Sequence, residues 1–519
     1  TLGNTQQGED MLKSLIKNGE ETPEPLRAQV TGTLPAWLQG TLIRNGPGLF
    51  SVGDSEYNHW FDGSSLIHSF TFSNGEVFYK SKFLKSDTYK RNIKANRIIV
   101  SEFGTMIYPD PCKNIFSRAF THLCNVIPDF TDNNLINIVR YGEDYYASSE
   151  VNYINQINPV TLETVSRVNY RNHIALNLAT AHPHYDDEGN TYNMGTAILG
   201  LGRPKYVIFK VPANAEQKKP ALRKVQQVCS VPFRSLLFPS YFHSFGMTEN
   251  YIVFVEQPFK LDIVRLSNTN PTLFHLINRK TGKAVSTRFY GDALVVFHHI
   301  NAYEEDGHVV FDLISYENTN LYDMFYLQNM RRENDDFIQS NKTFSPPTCQ
   351  RFVLPLHIHK DCPTGSNLVT LGDTTARAEL QADGSVFCRP DMLFKGQARL
   401  ELPGINYKFN GKKYRYFYGS RIAKVDVQTR THVEWQQEGC YPSEPVFVAS
   451  PGAVEEDDGV ILSSVISTDS KISPFMLVLD AKTMQEVARA SIDANVHMDL
   501  HGLFIPAAAA SAATAATAI

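Results

Sequence analysis

The chain is written in short apolar runs. Tyr206–Val211, Ile252–Val255, Ala293–Phe297, Val309–Ile314, Val460–Ile466 and Phe475–Leu479 are dense in β-branched and aromatic residues. Runs of roughly four to eight such residues suit strands and are too short for buried helices. Asp62-Gly63, Asn74-Gly75, Asp306-Gly307, Asp383-Gly384, Asn410-Gly411 and Asp458-Gly459 punctuate them. Asn-Gly and Asp-Gly supply the positive φ that tight hairpins need. Long amphipathic helical patterns are rare, so the chain reads as all-β.

A weak repeat points to a closed, repetitive architecture. Asn or Asp, then Thr three residues on, then Val four further, occurs at Asn158/Thr161/Val165, Asn278/Thr281/Val285, Asp426/Thr429/Val433 and Asp480/Thr483/Val487. The Asx side chain accepts from its own backbone two residues on and starts a hairpin. The spacings fit a unit of roughly 50–70 residues, longer than the usual propeller blade. A β-propeller with insertions is favoured over an array of β-sandwiches. A propeller also explains how 519 residues form one unit where the usual domain size would predict three or four.

Composition excludes several classes. With 49 basic and 54 acidic residues the net charge is −5, which gives no electrostatic footprint for nucleic acid. The 7 Cys are scattered without a CxxC pair, against a disulfide framework or a Cys-ligated zinc, and favour a reducing compartment. No apolar run is long enough to span a membrane. The Ala-rich segment 507–519 reads as a tag or placeholder, residues 1–23 as an N-terminal extension, and 24–506 as a single catalytic unit. The start at Thr1 reads as a truncation.

One stretch has helical character. Phe116, Phe120, Leu123 and Ile127 form an apolar stripe behind Pro109-Asp-Pro-Cys-Lys-Asn114, with Lys113 and Arg118 beside it. A second apolar run is Leu236-Leu237-Phe238. Two readings stand: buried surface elements, or a patch that dips into one membrane leaflet.

Four of the 16 His share a pattern. His182, His243 and His298 adjoin strands at steps of about 55–60 residues, and His501 follows the last repeat. Equivalent strand positions in successive blades converge on a propeller's axis. Four imidazoles there would make a metal site for Fe, Cu, Zn or Ni. The plainer reading is satisfied core or loop His. Glu150, Glu401 and Glu444 lie near strand ends and could orient such ligands. The run Glu455-Glu-Asp-Asp458 reads as a solvated turn.

At these residues the sequence resembles the animal carotenoid cleavage oxygenases. The carrying motifs are Arg44-Asn-Gly-Pro-Gly48, His59-Trp-Phe-Asp-Gly63, Glu102-Phe-Gly-Thr105, Pro109–Asn114, Thr180-Ala-His-Pro-His184, Phe297-His-His-Ile-Asn301, Tyr441-Pro-Ser-Glu-Pro445 and Glu455–Gly459, in order from Glu24 to Pro506. The resemblance implies a seven-bladed β-propeller with a helical and loop cap over its top face. It implies Fe(II) held by His182, His243, His298 and His501, with Glu150, Glu401 and Glu444 behind them. It implies a carotenoid substrate of the zeaxanthin, lutein or β-carotene class, O2 as co-substrate, and a cytoplasmic protein peripherally bound to membranes through Cys112, Phe116, Phe120, Leu123, Leu236, Leu237 and Phe238. Phe61, Phe103 and Tyr322 match aromatic positions of the family's tunnel, where core packing is the alternative.

The segment Val496–Pro506, with Leu500 before His501, is similar to the NinaB-type isomerooxygenases of insects. That likeness implies central 15,15′ cleavage with isomerisation of one half, giving all-trans and 11-cis aldehydes. Eccentric 9′,10′ cleavage, retinyl-ester isomerohydrolysis and a non-catalytic carotenoid-binding protein are the rival readings.

Overall fold

The computed structural model describes residues 6–105, 131–198, 203–213, 216, 218–235, 239–258, 270–340, 346–394 and 400–508. Its strands form a seven-bladed β-propeller. The first blade comprises Thr22–Arg27, Glu76–Phe83, Ser64–Ser73, Gly40–Leu49 and His501–Pro506, and the second Asn137–Tyr141, Asp144–Ser148, Tyr153–Ile157 and Thr164–Asn169. Leu178–Ala179, Thr191–Ala197, Lys205–Val211 and Gln226–Pro232 make the third. The fourth runs Gly246–Met247, Tyr251–Glu256, Thr272–Asn278 and Phe289–Gly291, extended by Val386–Arg389 in parallel pairing. The fifth holds Val295–Glu305, His308–Tyr316 and Thr348–Pro355, and the sixth Tyr416–Gly419, Ala423–Asp426 and Thr431–Glu434. In the seventh, Cys440–Pro442 and Val446–Ala449 both pair with Gly459–Ser467, followed by Phe475–Asp480 and Glu486–Ser491.

Two seams close the ring. Gln29–Gly32 pairs with Glu486–Ser491, and the final strand His501–Pro506 pairs with Gly40–Leu49, so both ends of the chain are locked into blades begun elsewhere. Closure covers the blade faces that an open stack would leave bare, and the edges that remain are short and protected. Blades pack face to face, so central strands are buried on both sides. Val460–Val465 is accordingly apolar or small throughout rather than alternating.

All six apolar runs read from the sequence fall in strands, with one shift of boundary. The run from Ala293 enters its strand only at Val295, and that strand continues to Glu305, so His298 lies inside it rather than past its end. The pairing register slips between Val296 and Asn301, a bulge that re-aims His298.

The four Asx repeats are one turn used four times, on the outer hairpins of the second, fourth, sixth and seventh blades. In each, the Asx carboxyl or amide oxygen accepts from the backbone N–H two and three residues on. The residue four on, Leu162, Gly282, Arg430 or Met484, returns its N–H to the Asx carbonyl at 2.8–2.9 Å in a left-handed conformation. Asn74-Gly75 and Asp306-Gly307 have the positive φ expected of hairpin turns. Asp62-Gly63 does not: Trp60–Asp62 is a 3-10 turn and Gly63 has φ −53°. Nor does Asp458-Gly459, where Gly459 opens a strand. The acidic run before it is no bare solvated turn, because Glu456 accepts from the backbone of Arg415 and Tyr416 and Asp457 pairs with Lys424.

The extension is integrated. Helix Gln6–Leu15 buries Leu12 and Leu15, the Trp60 indole donates to the Leu15 carbonyl at 3.1 Å, and residue 23 falls inside the strand Thr22–Arg27. The proposed membrane residues Cys112, Phe116, Phe120, Leu123, Leu236, Leu237 and Phe238 lie outside the described residues. Among the described residues no helix is long and apolar enough to cross a membrane, and Cys229, Cys349, Cys362, Cys388 and Cys440 are free thiols.

Candidate metal centre and substrate cavity

Each blade delivers one residue to the axis. His501 begins the first blade's closing strand, and Glu150 follows the second blade's strand Asp144–Ser148. His182 lies between Leu178–Ala179 and His184–Tyr185 of the third, His243 precedes Gly246–Met247 of the fourth, and His298 sits in the fifth. Glu401 is tied to the sixth by the Ser420 N–H, and Glu444 lies between the two short strands of the seventh.

One ring nitrogen from each of the four His lies within 4.8 Å of the others. The carboxylates meet three of them from behind. His243 Nδ1 bonds Glu150, His298 Nδ1 bonds Glu401 at 2.6 Å, and His501 Nδ1 bonds Glu444 at 2.6 Å. An ionised carboxylate only accepts, so each Nδ1 carries the proton and each Nε2 turns a lone pair inward. Tyr241 donates its hydroxyl to Glu150 at 3.0 Å, and Tyr316 to Glu401 at 2.8 Å. Among the described residues, His182 has no carboxylate behind it.

The electrostatics suit a cation. His182 Nε2 and His243 Nε2 face one another at 2.9 Å, and His298 Nε2 is buried without a partner. Converging lone pairs repel unless a positive centre lies between them. Burial, then the neighbouring imidazoles, push His182 well below the ordinary imidazole range, so it does not supply that charge by protonation. Burial opposes ionisation of Glu401 and Glu444, but His298 at the first and His501 and Arg44 at the second outweigh it and hold both low. This donor set fits a divalent transition metal with imidazole ligands.

The His cluster opens into a cavity of about 530 Å³. His243, His298 and His501 line it, as do Phe61, Phe103 and Tyr322. Tyr322, on the short helix Asn320–Met324, stacks on His59 at 4.2 Å between ring centroids and meets Phe103 edge-on at 5.4 Å. His59 is locked: its Nδ1 accepts from the Phe61 N–H at 3.1 Å and its Nε2–H donates to the Tyr322 carbonyl at 2.9 Å. Burial holds its pKa down to about 4.

Several neighbours were not singled out by sequence reasoning. Tyr241, Tyr316, His59 and Arg44 had no assigned role, although Arg44 and His59 open two of the quoted motifs. Asp62 and Glu102 also reach the cavity wall. Burial raises both, Asp62 to about 6 and Glu102 well above the usual carboxyl range.

The model of the family described as retinal pigment epithelial membrane protein, RPE65, matches residues 16–506. The chain belongs to this family. A relative from Rattus norvegicus named beta,beta-carotene 15,15′-dioxygenase is 55% identical, over 94% of this chain and 91% of its own. The Gallus gallus protein of the same name is also 55% identical, covering 94% and 97%. A mitochondrial carotenoid-cleaving dioxygenase from Mustela putorius furo is 41% identical over 96% and 97%. In fold, the family member aligns with a cobalt-substituted Synechocystis ACO at a TM-score of 0.71 and 22% identity, covering 96% of this chain and 98% of that one.

Proposed function

We propose that this carotenoid cleavage dioxygenase uses Fe(II) and O2 to cut a C40 carotenoid of the β-carotene, zeaxanthin or lutein class at its central 15,15′ double bond, yielding two C20 aldehydes. The observation that carries the reading is the His cluster set in the wall of a cavity lined by Phe61, Phe103 and Tyr322. The names of relatives at 55% identity support the central bond over an eccentric one.

His182, His243, His298 and His501 would hold the metal, which when bound supplies the redox chemistry that lets O2 react with the polyene. Glu150, Glu401 and Glu444 keep the Nδ1 protons and stop the rings from turning. Tyr241 and Tyr316 fix two of those carboxylates in turn. A polyene has no polar handle, so the bond that reacts is selected by cavity shape and aromatic contact. Phe61, Phe103 and Tyr322 supply that contact, and their ring faces favour positive charge developing on the chain. The apolar walls keep water from such a species.

A second reading adds isomerisation of one half. It is favoured by Leu500, which lines the cavity beside His501 within the segment that is similar to the isomerising enzymes of insects. Peripheral binding to a membrane leaflet from the cytoplasmic side belongs to the same proposal and is checked by vesicle flotation.

The test is anaerobic reconstitution with Fe(II), then O2 and β-carotene in detergent, with products separated by mass and isomer. Two C20 aldehydes support central cleavage. An 11-cis share equal to the all-trans share supports the isomerising reading. Apocarotenals of unequal length overturn central cleavage in favour of the 9′,10′ bond. No cleavage with iron bound favours a carrier or, if ester substrates react without 18O uptake from O2, an isomerohydrolase.

A further inference from the structure

The three carboxylates behind the His cluster are not equivalent. Glu150 accepts from the Tyr241 hydroxyl, and Glu401 from the Tyr316 hydroxyl and the Leu402 N–H at 2.8 Å. Glu444 instead faces a guanidinium. Arg44 Nη1 donates to its Oε1 at 2.8 Å, while Oε2 accepts from His501 Nδ1–H. Among the described residues, Glu444 is the only one of the three in an ion pair with Lys or Arg.

Arg44 is itself 1% exposed and fully engaged. Its Nε and Nη2 donate to Asp499 Oδ1 at 3.0 and 2.7 Å, and Nη2 also donates to the Leu500 carbonyl at 3.0 Å. Asp499 Oδ2 bonds His68 Nε2 at 2.7 Å. One planar fork therefore joins the first blade, the seventh blade and the two residues before His501. Lysine, a point charge without the fork, could not hold both carboxylates in this geometry.

We propose that Arg44 is a positioning residue that makes His501 a weaker donor to the metal than His243 or His298; the proposal rests on the metal-centre reading above. A carboxylate that shares its charge with a guanidinium draws less strongly on the imidazole N–H in front of it. The imidazole then gains less anionic character, and less density reaches its Nε2. The backing falls from Glu150 and Glu401, through the paired Glu444, to His182 with none. The four ligands thus form a graded set, and Arg44 sets the step at His501.

The test uses the full chain loaded with Co(II), which shifts the ligand N–H proton resonances far from the diamagnetic envelope. The unaltered protein is expected to show exchangeable shifted signals from the carboxylate-bonded imidazoles, with that of His501 identified by its change in Glu444→Gln. Arg44→Gln should move that signal and slow its exchange, because Glu444 then draws harder on the His501 N–H, while leaving those of His243 and His298 in place. Co(II) affinity should hold or rise as His501 becomes the stronger donor, whereas a merely structural role for Arg44 would lower it about 10–100-fold, as loss of other outer partners of metal ligands does. Asp499→Asn acts on the same guanidinium from its other side and should move the same signal, which keeps the test open should Arg44→Gln not fold. Signals that all move together, or none that moves, would overturn the role of Arg44. Failure of the unaltered chain to bind Co(II) would instead overturn the metal centre.

Discussion

Gly502→Ala tests whether ring closure and the metal site are one construction. Gly502 follows His501 on the closing strand and pairs with Arg44. A Cβ there would lie 1.9 Å from the Ile43 carbonyl oxygen and 2.8 Å from Arg44 Cα. Both are backbone atoms, and real Cβ contacts essentially never fall under 3.0 Å, so the strands must part by about an ångström. Two or three ladder bonds at about 1 kcal/mol each give a loss of roughly 2–3 kcal/mol. A chain of this length has an unfolding entropy near 1.1 kcal/mol/K, from about 2.1 cal/mol/K per residue, so Tm should fall by roughly 2–3 °C. His501 moves with the strand, and metal affinity should fall by about 10-fold or more, since the ligand nitrogens need their positions to within roughly half an ångström. Calorimetry and Co(II) titration against a competing chelator measure the two effects. A Gly502→Ala protein with unchanged Tm and affinity would refute the argument, because the seam would then tolerate the side chain without moving the ligand.

The remaining predictions concern the cavity and the cation. Tyr322→Leu removes the ring that bridges His59 and Phe103 and should change product isomer ratio or cleavage position more than total turnover, as read by product chromatography; an unchanged distribution with full activity sinks its proposed role. Stripping the metal should lower stability by about 2.7 kcal/mol relative to protein held at 100 times the dissociation constant, seen as a metal-dependent Tm. His59 and Asp62 should give opposite pH dependences. His59, lowered from 6.5 to about 4, contributes stability above pH 6.5 that is lost as pH falls through 4. Asp62, raised from 3.8 to about 6, contributes stability below pH 3.8 that is lost as pH rises through 6. Each is worth about 3 kcal/mol at most. Denaturant titrations between pH 4 and 6.5 should therefore show Asp62→Asn more acid-sensitive than the parent, and His59→Gln less so; parallel curves would refute both.

Much of the fold was readable because strand identity is local. Six apolar runs landed in strands, and the Asx repeat announced its turns because the side chain and the backbone it caps are only two or three residues apart. The left-handed Leu162, Arg430 and Met484 escaped notice, since nothing in those side chains favours positive φ and the closed turn imposes it. Asp62-Gly63 misled for the converse reason: the dipeptide permits a hairpin, but packing of Trp60 and the bond that the Phe61 N–H donates to His59 favour a 3-10 turn. The candidate ligands were legible only as His beside strands at blade-like intervals. Their carboxylates were legible from the residues only as Glu near strand ends that could orient such ligands, and the resemblance set them behind the His, because a Glu at a strand end has the same local signature whether or not it meets a His.

The sequence by itself determined the strand content, the hairpin chemistry at most of the Asx turns, and the family, since its ordered motifs run through nearly the whole chain. Only the tertiary structure decided that seven blades each send one side chain to the axis, that Tyr241 and Tyr316 serve two of the carboxylates, and that Arg44 serves the third. Arg44 and Asp499 are 455 residues apart, and the final strand brings them together by closing the ring. Hydrogen bonds and ion pairs act over about 3 Å, whereas sequence patterns report neighbours along the chain. Contacts made by closure therefore leave almost no local trace, and the candidate metal centre is assembled largely from such contacts.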